Sequence, residues 1–257
     1  MNARNVIVHY HIFKNAGTSV DHLLKKNFGE KWGSFDGDSP GHIITTAELE
    51  KTINNAPDTV AFSSHQIVPP LPQVEGTVYP IVFLRDPIDR IKSAYLFEWK
   101  KQLRLDEPKG SLKEFVETKF RYVRKSSVEE FQTVRLSNVD RGEFQGTQVS
   151  DDEMLGNACE FLSSLEFVGI VDEFERSLQL LTNYLSRGFP AFKYSPVQAN
   201  VLQDITINQN EKRQRIHEEL GDELFEMIVD RNQLDERLYQ HARACMEDLE
   251  MRSQDAA

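Results

Sequence analysis

The chain has 257 residues, 39% of them hydrophobic and 28% charged, which suits a globular protein of one large α/β domain or two small ones. A formal net charge of -11 argues against a general nucleic-acid binder, which needs clustered Lys and Arg to meet phosphates. Cys159 and Cys245 lie in no CxxC or Cys/His cluster, so reduced thiols are expected and no zinc site is suggested.

Met1 to Asn5 lead straight into an apolar run, with no space for a signal peptide, and no stretch of about 18 apolar residues offers a membrane span. A cytoplasmic protein is the expectation. Residues 6–12, Val-Ile-Val-His-Tyr-His-Ile, read as a buried parallel strand. After the turn at 13–17, Val20, Leu23, Leu24 and Phe28 share one helical face, and Gly29 is placed to end that helix. Thr45 and Glu48 have capping-box spacing for a short helix to about Asn55. A strand at 60–64 ends at His65, and a third covers 79–84. Asp86 and Pro87 then open a long helix as N-cap and first helical residue.

From 109 to 164 the pattern is helical, with capping-box spacing at Ser111/Glu114 and Ser126/Glu129. Residues 167–171 read as a strand, 174–185 as an amphipathic helix ending near Gly188, 190–210 as a loop, and 211–252 as helix. Strands alternating with helices predict a three-layer α/β fold of the P-loop type. It has a mostly parallel sheet flanked by helices and a helical C-terminal segment. One domain over 1–257 is expected, with a helical insertion at about 109–164.

A strand, a Gly-containing turn and a helix aim backbone N–H groups at a phosphate. Here the turn is Phe13-Lys14-Asn15-Ala16-Gly17, and Thr18 and Ser19 open the helix. Gly17 is read as supplying unusual backbone angles and close anion approach. Lys14 supplies a full charge, and the two hydroxyls supply donors. The Walker A pattern places Lys after its second Gly, directly before Ser or Thr. In this turn Lys14 precedes Gly17, which counts against a P-loop kinase or nucleotide hydrolase, the main alternative. In the segment from Phe83 to Tyr95, Arg85 stands at a strand's carboxyl end and Ser93 about two helical turns later. An Arg and a Ser so placed could hold one phosphate from two sides.

Together these segments resemble the two signatures by which the sulfotransferase superfamily binds 3′-phosphoadenosine 5′-phosphosulfate (PAPS). His11 to Ser19 is similar to the 5′-phosphosulfate loop, and Arg85-Asp86-Pro87 through Ser93-Ala94-Tyr95 to the 3′-phosphate motif. The form of both is nearest the carbohydrate branch typified by the heparan sulfate 2-O-sulfotransferases. Fainter similarity runs through Ser63-Ser64-His65, residues 167–181 and the C-terminal helices. The resemblance implies a sulfotransferase that needs no metal, with the nucleotide held by Lys14, Asn15, Ala16, Gly17, Thr18, Ser19, Arg85 and Ser93. Lys14 would contact the bridging oxygen and stabilise the departing 3′,5′-phosphoadenosine. The acceptor it implies is a hydroxyl of a glycan, glycolipid or small metabolite.

The acceptor's proton needs a base, and an imidazole titrates near neutrality. His65 is selected among seven histidines because it closes a strand beside Ile12 and Leu84 and matches the position of the base in the 2-O-sulfotransferase branch. Its other reading is a histidine that merely caps the strand. His11 and His9 share a strand face and read as scaffold. Arg90 and Lys92 read as solvated helix residues, as do Lys212, Arg213 and Arg215 at the start of a later helix. Tyr95, Phe97 and Trp99 read either as core or as a platform for adenine or sugar.

Overall fold

The computed structural model of the protein describes residues 4–39, 41–122, 127–138, 149–194 and 208–255. Five strands make one sheet: β1 (Arg4–Tyr10), β2 (Trp32–Ser34), β3 (Ala61–Ser64), β4 (Gly76–Leu84) and β5 (Gly169–Ile170). Their order is β2-β3-β1-β4-β5, and every strand pairing in the sheet is parallel.

The period-two alternation of a strand divides its side chains between two layers. Val6, Val8 and Tyr10 of β1 join Phe62, Val82 and Leu84 on one face. That face is covered by α2 (Thr46–Asn55), α5 (Phe131–Leu136), α6 (Asp151–Ser163) and α10 (Gln233–Asp255). Ile7, Ala61, Ile81 and Phe83 point the other way, onto Val20, Leu23 and Leu24 of α1 (Gly17–Phe28) and Leu178, Leu181 and Leu185 of α7 (Phe174–Ser186). A third apolar cluster joins α3 (Pro87–Leu96), α4 (Leu112–Tyr122), α8 (Gln209–Leu220) and α9 (Asp222–Asp230) through Ile91, Phe115, Ile216 and Ile228.

Local signals set most of the boundaries. The Thr45/Glu48 capping box forms in both directions, as do the Ser111/Glu114 bonds, and Gly29 ends α1 with φ 55°. Asp86 caps α3 by accepting from Ile88 and Asp89, with Pro87 at the first helical position.

Some expectations are corrected. The first strand stops at Tyr10: the His11 N–H still donates to the Ser64 carbonyl of β3 at 3.0 Å, but the Ile12 N–H turns back to the Tyr10 carbonyl at 2.8 Å and leaves the ladder. The strand expected at 167–171 keeps only Gly169 and Ile170, and β2 was not foreseen. The C-terminal helix is three helices, broken at Gly221 (φ 77°) and at Arg231–Asn232. Ser126 and residues 195–207 lie outside the described residues.

Candidate active site

The carboxyl ends of β3, β1 and β4 lie side by side, with Tyr10 in register with both Ser64 and Val82. Open parallel sheets bind ligands at this edge. It brings together His11 after β1, His65 after β3 and Arg85 after β4.

In the turn after β1, Lys14 (φ 67°) and Ala16 (φ 59°) take the left-handed conformation, a rare and strained choice for residues with a Cβ. Gly17 does not. Its small size is required instead because the His11 ring lies against it: a Cβ there would sit 2.1 Å from His11 Cδ2. Of the two roles expected of Gly17, the unusual backbone angles are not used, and its lack of a Cβ makes room for the His11 ring. The Gly17 and Thr18 N–H groups open α1, where helix geometry gives them no acceptor within the helix. Ser19 is buried, and its N–H is already bonded to the Ala16 carbonyl at 2.9 Å. Asn15 is buried too and faces inward, donating to the Phe83 carbonyl and to Gln132 Oε1, each at 2.7 Å.

The second segment docks onto this turn. Arg85 Nη1 donates to the Lys14 carbonyl at 3.2 Å, while its Nε donates to Asp89 Oδ2 at 2.8 Å. Lys14 Nζ lies 4.7 Å from the centre of the Phe97 ring and 5.8 Å from that of Phe13. Phe97 opens a π-helical turn, Phe97–Lys101, that continues α3. Burial, then Arg85 and then Lys101, pushes the Lys14 ammonium down to about 8. Ser93 is half-buried on α3.

The neighbouring basic residues divide differently from expectation. Arg90 is not solvated: it is fully buried, donates to the Ser127 carbonyl at 2.7 Å, and covers the Phe131 ring at 4.8 Å. Lys92 pairs with Glu219. Lys212 is largely buried between Asp89 (3.5 Å) and Asp172 (3.6 Å), so it shares Asp89 with Arg85. Arg213 binds Asp86 and Glu236, and Arg215 is exposed beside Glu211. Tyr95 packs in the core with its hydroxyl on the Gly110 carbonyl, and Trp99 packs on Phe115. Of these three aromatic rings, Phe97 faces Lys14.

On the other side of the turn His65 remains 47% exposed. Asp36, just after β2, accepts from Ser64 Oγ at 2.6 Å and from the His65 N–H at 2.9 Å through Oδ1. Its Oδ2 faces His65 Nδ1 at 3.2 Å. A carboxylate can only accept, so Nδ1 carries the hydrogen and Nε2 keeps a lone pair. The His11 ring stacks on His65 with centroids 3.8 Å apart. Burial and then His11 lower the His65 pKa, against the opposing pull of Asp36.

His11 is fixed by Asp21 of α1, which also receives His9 and Ser63. The ligand-type atoms of His9, His11 and Asp21 lie within 4.8 Å of one another. Their contacts of 2.8 and 2.9 Å have hydrogen-bond length, and each histidine has its own carboxylate oxygen. Burial pushes the Asp21 carboxyl up, but the bonds from His11 and His9 outweigh it and hold the group well below the usual carboxylate range. The group is a hydrogen-bonded brace beneath His65.

Sequence reading missed Asp36, Asp21 and Gln132. Asp36 follows a strand too short to show a pattern, whereas Asp21 lies four residues after Gly17 on the helix already identified.

The family model described as "Sulfotransferase family" matches residues 1–242, a span containing every residue of the turn, the Arg85 segment and His65. The chain belongs to the sulfotransferase family. This sulfotransferase is also 32% identical over 248 residues to an uncharacterized protein of Archaeoglobus fulgidus, covering 92% of this chain and 95% of that protein. Among the described residues of the sulfotransferase, no helix is long and apolar enough to cross a membrane.

Proposed function

We propose that this sulfotransferase uses PAPS as donor and transfers its sulfuryl group to a hydroxyl of a carbohydrate or glycoconjugate. The observation that carries the donor reading is the junction of the two segments, where Arg85 is bonded to the Lys14 carbonyl and both cations occupy one partly buried place. Mutual repulsion between Lys14 and Arg85 is relieved by an anion, and the Gly17 and Thr18 amides add uncharged donors. A helix terminus contributes only about 0.3–1 kcal/mol to anion binding, so the two cations dominate.

On this reading Lys14, Asn15, Ala16, Gly17, Thr18 and Ser19 form the 5′-phosphosulfate site. Arg85 and Ser93 form the 3′-phosphate site. Ser19 and Asn15 are buried and shape the turn, so side-chain contact falls to the half-buried Lys14 and the exposed Thr18. Lys14 neutralises charge on the oxygen released as the sulfur–oxygen bond to phosphate breaks, by analogy with loose phosphoryl transfer. His65 Nε2 accepts the proton of the attacking hydroxyl as its oxygen bonds to sulfur. Asp36 holds the imidazole in the tautomer this requires.

The carbohydrate acceptor rests on the likeness of the two segments to the 2-O-sulfotransferase branch. One domain over 1–257, with the segment at 109–164 bordering the acceptor cleft, completes the proposal.

The test is incubation with radiolabelled PAPS and a panel of saccharides, glycolipids and simple alcohols. Label is expected as an ester on a sugar hydroxyl. Transfer confined to non-sugar acceptors would overturn the carbohydrate assignment, and magnesium-dependent turnover of ATP without sulfuryl transfer would favour a nucleotide kinase or hydrolase.

A further inference from the structure

Gln132 lies on α5, far in sequence from both ligand-binding segments, yet its side chain joins them. Its Oε1 accepts from Asn15 Nδ2 at 2.7 Å and from the Arg85 N–H at 3.0 Å, while its Nε2 donates to the Arg85 carbonyl at 2.9 Å. The residue is fully buried, and it addresses both backbone groups of Arg85 at once. No aliphatic side chain could meet that pair, and the groups left behind would be buried without partners.

The start of α5 is held in place by the adjacent start of α10. Asp235 accepts from the N–H groups of Gln132 and Thr133 and from Thr133 Oγ1. Glu130 in turn accepts from the N–H groups of Leu234 and Asp235. Two helix starts, those of α5 and α10, therefore cap each other reciprocally. Glu130 adopts φ 44° to do so, a conformation that persists only where its surroundings fix it. A short helix with little intrinsic stability is thereby anchored, and Gln132 projects from it into the gap between the turn and the end of β4.

We infer that Gln132 is a positioning residue that sets the separation between the 5′-phosphosulfate turn and the 3′-phosphate segment. The inference rests on the PAPS reading, because a span matters only for a ligand carrying phosphates at both ends. Arg85 reaches the Lys14 carbonyl through its side chain, but Gln132 fixes its backbone, which a flexible guanidinium cannot do. Discrimination for the 3′-phosphate then depends on a residue that touches no ligand.

The experiment is calorimetric titration of wild type and Gln132→Met with 3′,5′-phosphoadenosine and with AMP. Met is close to Gln in size and removes all three hydrogen bonds. The expected result is a fall of about tenfold or more in the preference for 3′,5′-phosphoadenosine over AMP, the scale of a few displaced polar contacts. A residue that is merely structural would lower the melting temperature and leave that ratio unchanged, which would overturn the inference. If Gln132→Met does not fold, Gln132→Asn, which keeps the amide one methylene short, is read in the same way. Failure of both to fold makes Gln132 a determinant of the fold and also overturns it. A wild type with no preference over AMP is a failure of the donor reading itself, and the inference falls with it.

Discussion

Arg85 donates to the carbonyl of Lys14 at 3.2 Å, across 71 positions of sequence, and so closes two separate strand-to-helix segments into one basic site. Burial first, and the charge of Arg85 second, push the Lys14 ammonium down to about 8. On the proposed mechanism Lys14 is the group whose ionisation limits turnover on the alkaline side.

A bell-shaped dependence of kcat/KM on pH is expected for the donor. Lys14 must be charged, so activity falls as pH rises through about 8. His65 must be neutral to accept a proton, and its pKa is lowered by burial, so activity falls on the acid side only below the ordinary histidine range. Lys14→Arg, which stays charged at all accessible pH, should remove the alkaline limb if it retains turnover. A persisting limb would assign that titration to another group.

Replacing Asp36 by Asn should slow kcat by about tenfold to a hundredfold with little change in donor binding. The carboxylate raises the His65 pKa, so its loss should also move the acid limb to lower pH. Steady-state kinetics across pH separates the two effects. An unchanged limb would show that Asp36 serves only to accept from the Ser64 hydroxyl and the His65 backbone N–H.

Gly17→Ala places a methyl group 2.1 Å from the His11 ring, which cannot retreat freely because Asp21 holds one edge and His65 covers the face. A cost of about 1–3 kcal/mol in urea unfolding is expected, together with weakened donor binding. A variant of full stability and affinity would mean that the His11 ring swings aside readily.

The reciprocal caps predict that Asp235→Ala, which leaves three donors without their buried acceptor, costs about 3 kcal/mol or more. Chemical denaturation reads it directly, and a loss below about 1 kcal/mol would show that water replaces the carboxylate.

The sequence made the scaffold legible where local chemistry was strong. Runs of β-branched residues marked β1 and β4, the short apolar run before Ser63 marked β3, and Asp86-Pro87 marked the start of α3. β2 escaped because three residues with a central Gly show no alternation, and Asp36 escaped with it. Gln132 is harder still. Its six-residue helix carries no amphipathic period, and its partners lie 117 and 47 positions away. Arg90 was misread for a related reason: a basic residue on a helix suggests a wet face, but α3 is packed on more than one side. Lys14 and Arg85 were identifiable as types and positions, whereas their contact is a property of the fold.

The most direct measurement of the donor claim is calorimetric binding of 3′,5′-phosphoadenosine and AMP to wild type and to Arg85→Ala. Wild type is expected to bind 3′,5′-phosphoadenosine at least about tenfold more tightly than AMP, and Arg85→Ala to lose that preference. Equal affinity of wild type for the two nucleotides would contradict the existence of a 3′-phosphate site, and with it the assignment of PAPS as donor.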